Sequence, residues 1–420
     1  MNEMLKTMGL VSICLALTGP NGAWADDWPQ WNGRNRDGKS ADTGLLAQWP
    51  AGGPKLAWKT TGFGDGYSSI AVVGDRLYTM GDKSGAGWLM AASTAGGKIV
   101  WSTKIGAPGA PGAPGYDFPG PRSTPTVDGN LIFVLDAWGD LVCVNAADGK
   151  LQWRKSLVKD LGGAPPTWGY SESPLVDGEQ VVVTPGGPKG AVAAFNKKTG
   201  QLLWQSKEFT DAAHYSSIIP TEIDGARQYV QLTSASVAGV AAGDGALLWQ
   251  AWRRGNVAVI PTPLVAGNEI YVTSGYGAGC NLFKVSKADG KFSAEQVYAN
   301  HVMVNHHGGV VRVGDDIYGY SDGKGLTCQN ARTGAALWAE KTKIRKGSVS
   351  YADGRLYCRE EDSGAVILVE AAPNGYVEKG RFDQPERSEA KAWPHPVIAN
   401  GKLYLRDQDL LLCYDLKAAP

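Results

Sequence analysis

Short apolar runs separated by glycine-bearing turns follow one another from residue 54 to residue 417. The segments "STPTVDGNLIFV" (123–134), "ESPLVDGEQVVV" (172–183), "PTPLVAGNEIYV" (261–272), "VSYADGRLYC" (349–358) and "PHPVIANGKLYL" (394–405) share one layout. Each has an apolar run, a turn with Gly, and a second run of β-branched or aromatic residues, which predicts two strands joined by a tight turn. Beyond residue 25 no stretch carries the 3.6-residue periodicity of an amphipathic helix, so the pattern predicts an all-β chain.

A second phrase follows these hairpins: a small residue, Asp or Asn two positions later, Gly six later and Trp ten later. Three copies are complete: Cys143, Asn145, Gly149, Trp153; Ala194, Asn196, Gly200, Trp204; and Cys328, Asn330, Gly334, Trp338. The copies Ala91, Gly97, Trp101 and Gly239, Gly245, Trp249 lack the Asp or Asn. Two more keep Gly290 and Gly375 but carry Ala294 and Lys379 where Trp is expected. The Trp positions recur every 41 to 52 residues, the period of one four-stranded propeller blade. The last copy supplies Cys413 and Asp415 but no Trp, while Trp58 in "PKLAWKTTG" (54–62) has no hairpin in front of it. The N-terminal strand is therefore expected to complete the last blade, which gives an eight-bladed β-propeller without free ends.

Composition adds the surroundings. Lys+Arg and Asp+Glu are both 41, so the chain shows no electrostatic footprint for nucleic acid. Residues 1–25 have the layout of a signal peptide: Lys6, the apolar run "MGLVSICLALTG", and "AWA" at 23–25. That run is too short to span a membrane, and nothing later approaches the necessary length. Ile13 stands where a lipoprotein site needs a small residue, so Cys14 is not expected to carry lipid. The expected organisation is a signal peptide (1–25), an arm (26–53) and the propeller (54–417). Of the remaining cysteines, Cys143, Cys328 and Cys413 hold one slot in different blades, so they are kept apart and act as buried small fillers. Neither a zinc spacing nor Cys-x-x-Cys-His is present.

The repeat resembles that of pyrroloquinoline-quinone (PQQ) type β-propellers. The resemblance implies that Trp58, Trp101, Trp153, Trp204, Trp249 and Trp338 lie against backbone near the Gly, with their indole N–H groups finding acceptors in the neighbouring blade. Two kinds of protein share the repeat: quinoprotein alcohol dehydrogenases, and BamB-like propellers of outer-membrane assembly. The dehydrogenases have an adjacent Cys-Cys pair, a calcium site of Glu, Asn and Asp, and a catalytic Asp; this sequence has no adjacent Cys pair. The phrases "DWPQWNGRNRDG" (27–38), "TWGYSESPLVDG" (167–178), "NHHGGVV" (305–311) and "WPHPV" (393–397) further resemble secreted single-domain propellers of the BamB-like group. The resemblance thus implies a non-catalytic periplasmic or secreted scaffold or envelope assembly factor that needs no cofactor. The alternative it leaves is a PQQ- and calcium-dependent alcohol or sugar dehydrogenase.

In a propeller the first strand of each blade lines the central channel, and unusual residues precede several of these strands. Tyr67, Arg122, Trp168, Tyr170, Glu172, His214, Tyr215, His306, His307, Trp393 and His395 are the candidate site, a channel-mouth pocket for a protein partner, a sugar, a peptide or a quinone-like ring. The alternative is that these side chains only close the funnel around trapped water. His306 and His307 would point to opposite faces of a strand, which argues against a two-histidine metal site. The insertions "GAPGAPGAPG" (106–115) and "VKDLGGAPPTWGY" (158–170) should overhang the same face. The arm, with Trp28, Trp31 and Trp49, should pack on the propeller, because three exposed indoles are costly. Exported protein is expected to begin at Asp26; an intact-mass measurement that finds residues 1–25 still attached overturns the signal-peptide assignment.

Overall fold

The computed structural model describes residues 27–109 and 120–417; the expected signal peptide and residues 110–115 of the glycine-proline insertion lie outside the described residues. Among the described residues thirty-two strands form eight four-stranded antiparallel sheets arranged in a ring, an eight-bladed β-propeller. Among the described residues no helix is long and apolar enough to cross a membrane. Blades one to seven take residues 71–106, 126–156, 175–205, 219–252, 264–300, 310–340 and 347–382 in chain order. Blade eight combines residues 397–415 with Leu56–Thr60, which pairs as its outermost strand; Trp58 stands opposite Cys413, as the spacing predicts.

The hydrophobic pattern follows from position within a blade. Middle strands are sandwiched between neighbouring blades, so Leu131–Leu135 and Asp140–Asn145 are buried almost throughout. Outer strands face solvent, and in Leu151–Ser156 only Trp153 is buried. The core accordingly lies between blades: one cluster joins Tyr78, Met80 and Leu89 of blade one to Ile132, Val134 and Val142 of blade two. All five cysteines in the described residues are buried and unpaired, and burial pushes the thiols of Cys143 and Cys413 up to about 12.

Five outer-strand indoles donate to a carbonyl of the next blade: Trp58 to Thr94 (2.8 Å), Trp101 to Ala146 (3.2 Å), Trp153 to Lys197 (3.0 Å), Trp204 to Ala242 (3.1 Å) and Trp338 to Ala372 (2.8 Å). Where Trp204 meets blade four, Gly245 has φ +74° and a Cβ there would stand 2.4 Å from the indole, so both conformation and close approach require glycine. Trp249 differs, donating to Gln228 Oε1 of its own blade at 2.6 Å.

The two degenerate copies are placed differently from the sequence expectation. In blade five both strands of the outer hairpin are ten residues long, and Gly290 sits at its tip with open space around it. The residue aligned with the other tryptophans is Tyr298, not Ala294: it pairs with Leu282 at the bulge, its hydroxyl donates to Ala331 O at 2.7 Å, and its ring lies on Gly334. In blade seven the bulge puts Gly380 opposite Leu368, with Lys379 as the extra residue. The arm's Trp49 lies over Gly380, whose added Cβ would be 2.6 Å from that of Trp49. Its ring contacts Tyr357 (5.9 Å) and Phe382 (5.4 Å), much as Trp58 meets Tyr404 (6.1 Å) in blade eight. The arm thus lends blade seven the indole it lacks.

Trp49→Ala and Trp204→Ala are each expected to lower unfolding free energy by about 3–5 kcal/mol, the cost of deleting a buried aromatic, whereas exposed Trp252→Ala stays within about 0.5 kcal/mol. Urea denaturation checks this; equal effects for Trp49 and Trp252 would refute the role given to the arm.

Candidate functional site

The first strands converge on the channel axis, and the arm fills one end of it. Asp27 Oδ1 accepts from Gly74 N (3.0 Å) and Asp42 Oδ2 from Gly401 N (2.6 Å), both in turns that follow first strands. Between these anchors the arm climbs the channel and returns. Pro29 O accepts from Val127 N (2.8 Å), Gly38 O accepts from Tyr351 N (2.8 Å), and Gly38 packs against Val311. Arg36, 1% exposed, donates to Ser173 O (2.7 Å) and Pro174 O (3.0 Å). Trp28 bridges to Val72, and Trp31 donates to Thr262 Oγ1 at 2.9 Å. With Asp42 on blade eight, these contacts reach the channel side of seven blades. The plug uses positive φ at Asn32, Gly33, Arg36 and Gly38, so its turns depend on glycine and on the tolerance of asparagine for the left-handed region, while Arg36 adopts it with its guanidinium fixed on Ser173 O and Pro174 O.

Above the plug lies a blind cavity of about 340 Å³, within the size range of small-ligand pockets. Its wall is a chain of ring contacts. Arg122 sits over Tyr67 (5.7 Å), Tyr67 meets Trp393 (4.7 Å), Trp393 meets His307 (5.6 Å), His307 meets His306 (5.1 Å), and His306 meets Tyr276 edge-on (4.7 Å). On the other side Arg122 donates to Trp168 O (3.0 Å), and Trp168 packs on Tyr215 (6.0 Å). Trp31, from the tip of the plug, lines the cavity and lies 4.6 Å from the His395 ring.

Charge in the cavity is held in few places. His307 Nε2 lies 2.6 Å from Glu361 Oε2, which also accepts from Trp393 Nε1 at 2.9 Å. Burial would raise the Glu361 pKa, but the hydrogen bond and charge of His307, with Trp393 and Lys346, hold it down at about 2. Burial, with the charges of His307 and Lys346, lowers His306 to about 3. Burial also takes His395 down to about 4, against the hydrogen bond between its Nε2 and His307 O at 3.0 Å. Arg122 is lowered by burial, opposed by Tyr67, Tyr215 and Asp82. Lys346 and Lys391 stand at the cavity with ion pairs to Asp322 and Asp362.

Eight sequence candidates line this one cavity: Tyr67, Arg122, Trp168, Tyr215, His306, His307, Trp393 and His395. Three stand outside its lining. Tyr170 is buried with its hydroxyl on Pro185 O, Glu172 is buried on Thr184, and His214 accepts from Val259 N while its ring meets the edge of Tyr215. His306 and His307 do not diverge as strand neighbours would; they lie in a bend before Val310–Val313, so both reach the cavity. Trp31, Tyr276, Lys346, Glu361 and Lys391 were not legible as lining residues. Lys346 and Lys391 do precede first strands and could have been found by that rule, whereas Glu361 and Tyr276 sit on turns between middle strands and Trp31 comes from the arm.

Calcium with pyrroloquinoline quinone does not fit these donors. Calcium takes six to eight oxygen ligands; among the described residues Glu361 is the carboxylate lining the cavity, and its Oε2 already serves His307 and Trp393. Nor, among the described residues, are three or more His, Cys, Asp or Glu side chains placed so that they could hold a metal ion together.

No curated protein matches this chain. The family described as outer membrane protein assembly factor BamB matches residues 85–340. Among solved structures, BamB from Moraxella catarrhalis is similar with a TM-score of 0.59 and 15% identity, covering 87% of this chain and 98% of that chain. A quinohemoprotein alcohol dehydrogenase from Comamonas testosteroni is similar with a TM-score of 0.65 and 13% identity, covering 95% and 82%. The computationally designed Ika8 protein gives 0.60 and 9%, covering 86% and 99%. At these identities the structural likeness shows the fold alone.

Because His306 and His395 bind protons less readily folded than at their ordinary 6.5, the unfolded chain gains protons first as pH falls, and stability drops from pH 6.5 toward 4. Glu361 stabilises above its ordinary 4.5, and that contribution fades toward pH 2. Urea midpoints measured from pH 7.5 to 4 should therefore fall, and fall less in the double variant His306→Gln, His395→Gln. Parallel curves for the two proteins would contradict the assignment.

Proposed function

The chain belongs to the family of the outer membrane protein assembly factor BamB, and from that premise we propose that it is an exported, non-catalytic binding propeller of the cell envelope that meets its partner at the funnel face. The observation that carries this reading is the cavity itself, a pocket walled by aromatic rings at one channel mouth and closed below by the chain's own arm. Rigid aromatic side chains at a concave site are suited to recognition, since they supply large contact area at little entropic cost. The donor set supports binding over quinone-dependent oxidation, because the one carboxylate among the described lining residues is engaged by His307 and Trp393. The signal-peptide layout of residues 1–25 supports export.

Affinity capture from envelope extracts with the full mature chain tests the proposal. A protein partner is expected to be retained by the wild type and lost with the double variant Trp393→Ala, Tyr276→Ala at the funnel. Dye-linked alcohol oxidation after addition of quinone and calcium is expected to be nil. Oxidation under those conditions, or capture unaffected by the double variant, would overturn it.

A further inference from the structure

The loops that join consecutive blades cross the funnel face from the outer rim to the channel mouth, and one sector of them differs in charge. In the loops after blades two, three and seven both signs alternate: Lys159 with Asp160, Lys207 with Glu208 and Asp211, and Asp383, Glu386 and Glu389 with Arg387 and Lys391. From the loop after blade four to the loop after blade six they do not. Arg254, Lys324, Lys341, Lys343 and Arg345 are exposed there and make no ion pair among the described residues. Lys324 Nζ donates to His301 O (2.7 Å), and Lys343 lies over the Tyr376 ring (5.4 Å). The carboxylates of the same sector are already engaged. Asp322 pairs with Lys346 (3.1 Å) and Glu378 with Arg381 (2.6 Å). Glu340 Oε1 accepts from Thr342 N (2.7 Å) and Lys343 N (3.0 Å), Glu360 Oε1 accepts from Arg345 N (2.8 Å), and Glu361 holds His307 and Trp393. The whole chain is neutral, with Lys+Arg and Asp+Glu both 41, so the excess belongs to this sector. Like charges gathered in this way repel one another in the free protein, and a partner that brings carboxylates to them relieves the repulsion.

The same sector exposes large apolar side chains: Trp252 is 76%, Val257 49% and Tyr276 44% exposed. Their support is firm. Arg253, 4% exposed, donates to Ser274 Oγ (2.6 Å) and Gly279 O (2.7 Å), and Asn256 Nδ2 donates to Tyr276 O (3.0 Å), so residues 253–256 are fixed on the turn that carries Tyr276. Tyr276 and Ala258 also line the cavity, as does Lys346. The apolar strip and the basic loop therefore meet at the cavity mouth. Exposed aromatic side chains rimmed by charge of one sign are the makings of an interaction surface. A bilayer offers a flat anionic plane, whereas these cations lead into a concavity that an extended polypeptide can follow.

We propose that the partner docks on the sector of blades four to seven through an acidic segment that bears an aromatic or large aliphatic residue. Its carboxylates meet Lys324, Lys341, Lys343 and Arg345, and its apolar side chain lies on Trp252 and Tyr276 at the cavity mouth. The assignment rests on the reading of the funnel as the binding face, and adds the chemistry of the partner and the sector it covers.

Fluorescence-anisotropy titration of the mature protein with labelled peptides tests it: acetyl-EDEFEDE-amide, its neutral counterpart acetyl-QNQFQNQ-amide and its basic counterpart acetyl-KRKFKRK-amide. The acidic peptide alone is expected to bind, and to bind about tenfold more weakly when salt rises from about 20 to about 300 mM. The triple variant Lys341→Gln, Lys343→Gln, Arg345→Gln is expected to weaken binding about tenfold or more. Lys159→Gln, Lys189→Gln, Lys207→Gln removes as much charge from other loops of the same face and should leave binding within about twofold. All six side chains are exposed, so both variants keep the fold. Trp252→Ala should weaken binding too while leaving the urea midpoint unchanged. Failure of the acidic peptide to bind, equal binding of the neutral peptide, equal loss in the two triple variants, or binding to vesicles of phosphatidylcholine and phosphatidylglycerol in place of the peptide overturns the assignment. Envelope capture read in parallel separates it from the broader reading. A partner lost with Trp393→Ala, Tyr276→Ala but fully retained by the first triple variant sinks only the acidic assignment, while peptide binding without any captured envelope partner sinks only the assembly reading.

Discussion

The pairing of Leu56–Thr60 with the strand that holds Cys413 brings both ends of the chain into one sheet, and the rest of the architecture depends on it. A ring of blades holds together through contacts between neighbours, so an opening at one seam would expose two apolar blade faces. Backbone pairing across blade eight closes that seam, and Trp58 reaches on to Thr94 of blade one. The same contact that completes the last blade thereby ties it to the first.

That closure also dictates where the arm can go. Residues before Leu56 must leave from the outer edge of blade eight. They run across the seam to blade seven, where Trp49 covers Gly380, and then turn inward to the channel. A four-stranded blade without its indole is thus repaired by a segment that the ring closure delivers to it. The plug in turn converts a through-channel into a blind cavity, with Trp31 among its lining residues. Blade closure, blade repair and pocket formation are consecutive stretches of one path from residue 60 back to residue 27.

The cavity's character comes from what burial does to its polar groups. Three imidazoles, several phenols and indoles and one engaged carboxylate share a small space. Burial discourages charge on His306 and His395, while Glu361 stays ionised through its hydrogen bonds. The result is a site that is apolar in its walls, with one engaged carboxylate and with Lys346 and Lys391 paired to Asp322 and Asp362.

Much of this was legible in the sequence alone. The repeat period, the hairpin turns and the unmatched pair Trp58 and Cys413 determined eight blades and their closure, because each signal is local or recurs with a fixed spacing. The first-strand rule also gathered eight candidate residues that the fold brings to one cavity. It could not separate them from Tyr170, Glu172 and His214, because a short irregular approach to a strand does not reveal which way each side chain turns. Tyr298 was missed because the lengthened hairpin of blade five moves the bulge away from the glycine that marks it elsewhere. Trp49 over Gly380 and Trp31 beside His395 belonged to the tertiary structure entirely: these contacts join residues more than three hundred positions apart, and no periodicity in the chain records where an arm outside the repeat will insert.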